Sequence, residues 1–190
     1  METVNPDCLG LVLAGGLSTR MGMDKAQLRR CEQTRLAFSR RLLESLGLDT
    51  AVSGGGSGIP DLVPQSGPLG GIYSALHQLQ PSALLVVPVD MPLLSADALR
   101  PLLEQGAQCQ VPVCYRDCYL PLYLPNNQKV LDYLEAVFAP GSDKPRSVKK
   151  LLAALGGQQL PVADPQVLIN TNTPEEWQQA RALFAGGADQ

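Results

Sequence analysis

Histidine occurs once in these 190 residues, at His77, and the five cysteines (Cys8, Cys31, Cys109, Cys114 and Cys118) are odd in number and irregular in spacing. The want of a CxxC pair and of a second histidine argues against a zinc site. Aromatics make up 5 %, so the core must rest on Leu, Val, Ile and Ala. Charge of one sign is lacking too: the net value is −3, which argues against a general nucleic-acid binder. The buried-looking run "ALLVVPV" at 83–89 is far too short to cross a membrane. The opening "METVNPDC" has neither a basic start nor an apolar stretch, so no signal peptide is expected. A reduced, cytoplasmic, soluble protein is the reading. Neither a GxxxxGK loop nor GxGxxG is present, and Ser18 and Ser74 have no base partner for a hydrolase triad.

Apolar residues make up 45 % of the chain, enough for one domain, residues 1–190, with its own core. Continuous β-rich runs alternate with helical periods. "CLGLVLA" (8–14), "DTAVSG" (49–54) and "ALLVVPV" read as strands, as do "QCQVPVCY", "YLPLYL" and "QVLINT" (166–171). The prolines in the fourth and fifth of these hint at edges or bends. Helices are expected over 34–47, with Leu36, Leu42, Leu43 and Leu46 on the apolar face and Gly47 at the C-cap. Further helices are expected over 69–79, from Ser95 to about Glu104, over 126–138 and over 147–155. Thr173, Pro174 and Glu176 form a capping box that opens a last helix. Strands alternating with helices predict a three-layer α/β fold with a mostly parallel sheet, whose ligands bind at the carboxyl ends of the strands.

Three segments follow predicted strands and carry polar residues suited to chemistry. In the first, Gly15 and Gly16 let the backbone approach a ligand closely, so that successive N–H groups can cradle phosphate oxygens. Arg20 adds a planar fork and Lys25 a point charge. In the second, Asp90 ends a strand that holds no other charge and is well placed to hold Mg²⁺ against bound phosphates. The third is Asn170–Asn172. Asp61 lies in a loop before a glycine-rich helix start at Gly67, Gly70 and Gly71, which could face an anion. Two cationic clusters remain. Residues 20–41 hold Arg20, Lys25, Arg29, Arg30, Arg35, Arg40 and Arg41 against only Asp24 and Glu32; for Arg29 onward a solvated helix face is one reading. Lys144, Arg146, Lys149 and Lys150 read chiefly as a solvated helix start, and His77 as an exposed or boundary position.

"LAGGLSTRMGMDKAQL", with LAGG, then RMG, then DK, resembles the signature of the molybdenum cofactor guanylyltransferases, the MobA family. "SGPLGGI", "VPVDMPLL" and "INTNTPEEW" resemble its later motifs in the same order, and the similarity runs from about residue 9 to 177. The resemblance implies a Rossmann-like nucleotidyltransferase that moves GMP from GTP to the terminal phosphate of molybdenum-bound molybdopterin, with Mg²⁺, and releases pyrophosphate. Carried over by motif, it puts Leu13, Ala14, Gly15 and Gly16 on the nucleotide, Arg20 and Lys25 on its phosphates, and Asp90 on the metal. It implies base- or ribose-side roles for Ser53, which stands where the family often has asparagine, and for Asp61. Asn170, Asn172 and Arg146 fall on the pterin side. Transient contacts with proteins that deliver or accept the cofactor stay open. So do use of CTP, another phosphorylated acceptor, and a regulatory nucleotide-binding domain without turnover. Retention of Gly15, Gly16, Arg20, Lys25 and Asp90 together argues against the last.

Overall fold

The computed structural model describes residues 8–14, 29–30, 33–54, 58–171, 176 and 180. Gly15, Gly16, Arg20, Lys25, Asn172, Thr173 and Pro174 lie outside them, so the capping box is represented only by Glu176, which is helical.

Two families of side chains explain the architecture. β1 (Cys8–Leu13) sends Leu11 and Leu13 to one face and Cys8 and Val12 to the other; β5 (Ala83–Pro88) divides Leu84 and Val86 from Leu85 in the same way. A strand buried on both faces needs helices on both. One core takes Val12, Leu85 and Tyr123 with α1 (Arg35–Glu44) and α3 (Ala96–Cys109). The other takes Leu11, Leu84 and Leu124 with α2 (Gly67–Leu79), α4 (Gln128–Phe138) and α5 (Val148–Ala154). The three-layer α/β expectation holds.

The sheet runs β4 (Asp49–Ser53), β1, β5, β7 (Cys118–Pro125), β6 (Val113–Tyr115), β8 (Gln158–Leu160). The β1–β4, β1–β5 and β6–β8 pairings are parallel, and β7 is antiparallel to both its neighbours. Two short strands, β2 (Arg29–Arg30) and β3 (Gln33–Thr34), form a separate antiparallel ribbon ahead of α1. The chain leaves β1 for β4 on one side and returns to β5 on the other. That reversal opens a crevice above the carboxyl ends of these three strands.

Several boundaries differ from expectation for local reasons. Residues 166–171 are not a strand: Asp164 accepts from the Gln166 N–H at 2.9 Å and Pro165 opens a 3₁₀ turn over Pro165–Leu168. Asn170 therefore follows a turn. β7 is an interior strand despite Pro121, because the β6–β7 register shifts between Cys114 and Tyr115, a bulge that a proline tolerates. α3 outlasts Glu104 and ends where Gln110 turns left-handed, which leaves β6 only three residues. On α1 the buried stripe is Arg35, Ser39 and Leu43, with Leu36 and Leu42 only partly covered. Among the described residues, no helix is long and apolar enough to cross a membrane.

Candidate nucleotidyltransferase site

The carboxyl ends of β1, β4 and β5 are tied together beneath one cavity. Ala14 N–H donates to the Ser53 carbonyl at 2.9 Å and Val89 N–H to the Leu13 carbonyl at 3.3 Å. The cavity measures about 1140 Å³, room for a nucleotide and part of a second substrate. Leu13, Ala14, Ser53, Asp61, Asp90, Arg146 and Asn170, each singled out in the sequence, all line it. They come from stretches up to 157 residues apart (170 minus 13).

Their settings differ. Ser53 is buried, its hydroxyl against Gly71 of α2, where a methyl group would sit 2.3 Å from it. Asp61 is exposed at the rim. Asp90 is half-buried, with Oδ1 covered, and its main-chain carbonyl accepts from the Thr171 N–H at 2.8 Å and the Thr171 hydroxyl at 3.2 Å. The carboxylate is thus less exposed than its place at a strand end suggests. Arg146 donates to the Ser66 hydroxyl at 3.0 Å and lies 5.4 Å from the Phe138 ring centroid, a cation–π distance. Phe138 in turn stacks on Tyr73 at 4.5 Å. Ser66 precedes α2 and makes no side-chain cap, so its oxygen serves Arg146 instead. The arginine is fixed at the positive end of α2, beside the cavity.

Some lining residues carry no signal in the sequence. The turn between β6 and β7 brings Asp117, Cys118 and Tyr119 to the wall. Burial raises the Cys118 thiol above its ordinary pKa, and the nearby Asp90 charge raises it further. Lys149, though exposed, also lines the cavity, 5.9 Å from the Tyr119 ring, whereas the equally exposed Lys144 and Lys150 do not. The second cationic cluster is therefore split between site and solvent. His77 is exposed, its ring edge-on to Tyr73.

Residues 10–162 match the family model described as the MobA-like NTP transferase domain. This chain belongs to the MobA-like NTP transferase family. A molybdenum cofactor guanylyltransferase of Xanthomonas euvesicatoria is 38 % identical over 176 residues, covering 88 % of this chain and 91 % of that one. Among solved structures, molybdopterin-guanine dinucleotide biosynthesis protein A of Archaeoglobus fulgidus superposes with a TM-score of 0.70 at 20 % identity, over 93 % of this chain and 98 % of that one. The 2-C-methyl-D-erythritol 4-phosphate cytidylyltransferase of Thermus thermophilus reaches 0.68 at 14 % identity, over 92 % and 98 %. At such identities the two structures share the fold, and a cytidylyltransferase shares it as readily as a MobA-like protein does.

Proposed function

We propose that this chain transfers GMP from GTP to the terminal phosphate of molybdenum-bound molybdopterin and releases pyrophosphate. The observation that carries the reading is convergence: residues implied separately by the MobA-like motifs line one cavity at the carboxyl ends of β1, β4 and β5. The 38 % identity to a protein named for this activity supports the choice of base and acceptor.

The acceptor phosphate is already ionised near neutral pH, so no general base is needed (second pKa about 6 for a phosphoester). One of its oxygens bonds to the α-phosphorus of GTP while the α–β bridging bond breaks in line, and pyrophosphate leaves. Positioning and charge neutralisation supply the catalysis. Leu13 and Ala14 meet the nucleotide at the floor, and Gly15 and Gly16 are assigned to it by motif. Ser53 and Asp61 serve its base or ribose. Arg20 and Lys25 are assigned to its phosphates by motif. Arg146 and Asn170, with Asn172, face the acceptor.

The residues present fit a bound Mg²⁺. Among the described residues no three metal-ligating side chains cluster, and Mg²⁺ characteristically takes one or two carboxylates with phosphates and water completing its shell. Asp90 is the carboxylate we assign to it. When bound, the ion would neutralise charge developing on the leaving pyrophosphate.

Pyrophosphate release is the test. It should require GTP, molybdopterin and Mg²⁺ together, and equal turnover with CTP would contradict the assigned base. Asp90→Asn should reduce turnover roughly a hundredfold, the scale of losing about 3 kcal/mol of transition-state stabilisation. A folded Asp90→Asn protein with near-normal turnover would refute the metal assignment.

A further inference from the structure

Arg35 is the first residue of α1, and nothing in the sequence separates it from the other cations of residues 20–41. The structure does. Only 1 % of it is exposed. Thr34 caps the helix just before it, accepting from the Ala37 N–H at 3.1 Å, and so fixes the backbone from which the side chain departs. The guanidinium Nη1 donates to the Thr171 carbonyl at 3.3 Å. Thr171, itself fully buried, passes two hydrogen bonds on to the Asp90 carbonyl. Residues 35, 171 and 90, far apart in the chain, are joined in one strap. Asp90 and Asn170, the latter adjacent to Thr171, both line the cavity.

Burying a guanidinium is costly, and an apolar side chain of similar size is often no less stable in such a place. Burial lowers the Arg35 pKa, and the Asp90 charge works in the opposite direction, so the cation lies within electrostatic reach of that carboxylate. What arginine supplies and an apolar residue does not is a donor for the Thr171 carbonyl and a fixed charge near Asp90.

We propose that Arg35 is a positioning residue: by holding the Thr171 carbonyl it fixes the segment carrying Asn170 against Asp90, so that the acceptor and the nucleotide keep one alignment. The proposal rests on the guanylyl-transfer reading of the cavity. Misplacement by about 1 Å can cost a hundredfold in rate, so a strap of this kind acts on kcat and on acceptor binding rather than on GTP affinity.

Four variants test it: Arg35→Met, Arg35→Lys, Thr171→Val and the Arg35→Met/Thr171→Val pair. Steady-state assays give kcat and both KM values, and calorimetry gives the Kd for Mg-GTP without acceptor. Arg35→Met should lower kcat about tenfold or more and raise the acceptor KM, with the GTP Kd within about twofold. Arg35→Lys should recover part of the loss. The double variant should be little worse than Arg35→Met alone, because Arg35 and the Thr171 hydroxyl secure the same segment against Asp90. Wild-type kcat and acceptor KM in Arg35→Met, a GTP Kd weakened by the same factor as kcat, or multiplicative losses in the pair would each overturn the proposal. Should Arg35→Met not fold, Arg35→Lys, which alters the group donating to the Thr171 carbonyl, decides the matter by the same criteria with a smaller expected loss. Hydrogen exchange separates this proposal from the activity reading. The Thr171 amide should exchange at least about tenfold faster in Arg35→Met, or in Arg35→Lys if the former fails to fold, while β5 amides keep their rates. An unchanged Thr171 amide overturns the strap whatever the activity, and a wild-type protein without guanylyl transfer overturns the activity alone.

Discussion

Cys118 sits where the β6–β7 turn meets the cavity, and its Sγ donates to the Leu120 carbonyl at 2.8 Å. Burial, assisted by the Asp90 charge, holds its pKa up, so less of it is thiolate at neutral pH than of an unperturbed cysteine. Iodoacetamide should therefore label Cys118 slowly at pH 7.5 and much faster as the pH rises past 9. Asp90→Asn should speed the reaction at neutral pH by removing a charge that opposes the thiolate. Peptide mapping of the alkylated protein measures this, and labelling at the rate of a free thiol would contradict it. At this scale the sequence is readable where chemistry is local. Asp90 announces itself as a lone carboxylate after an apolar run, and Gly15 and Gly16 as a break after a strand. Arg35 does not, because its burial depends on a partner 136 residues away. Cys118 reaches the wall through a turn with no ligand-binding motif.

Among elements, α2 meets the ends of β1 and β4 through Gly71. A methyl group on Gly71 would lie 2.3 Å from the Ser53 hydroxyl and 3.1 Å from Leu13. Alanine gains about 1 kcal/mol over glycine in a helix, but overpacking costs about 1–3 kcal/mol, and both contacts belong to residues that line the cavity. Gly71→Ala should lower the melting temperature and weaken GTP binding together, since α2 must withdraw from the floor of the site. Calorimetric melting and GTP titration test the pairing of effects, and an intact GTP affinity would mean that Ser53 and Leu13 have no part in holding the nucleotide. Most elements could be placed from periodicity because each has one dominant apolar pattern. The failure at 166–171 is instructive: "QVLI" has strand composition, yet Asp164 and Pro165 impose a turn at its start and leave Ile169 42 % exposed. Local capping prevails there, and among the described residues the segment joins no strand of the sheet.

For the molecule as a whole, two cores divided by one sheet are what alternating strands and helices demand, and that much was legible. The antiparallel placement of β7 was not. Its side chains alternate as they would in a parallel strand, and direction is fixed only by the short turn after β6. A ligand that binds only the folded state stabilises the whole molecule, by about 2.7 kcal/mol at a hundredfold excess over Kd. For a chain of this size that corresponds to roughly 2–4 °C per kcal/mol. Mg-GTP should therefore raise the melting temperature by several degrees and Mg-CTP by much less. Equal shifts would mean that the base is not read.

The bonds from Thr171 to Asp90 also set a schedule. Translation runs from the amino end, so β1, β4 and β5 leave the ribosome long before residue 171 is polymerised. Their carboxyl ends can pair early, but the wall that carries Asn170 is anchored only after nearly the whole chain has been made. Non-local contacts of this kind form late. A nascent chain arrested within α4 would hold the floor of the cavity without the wall that carries Asn170.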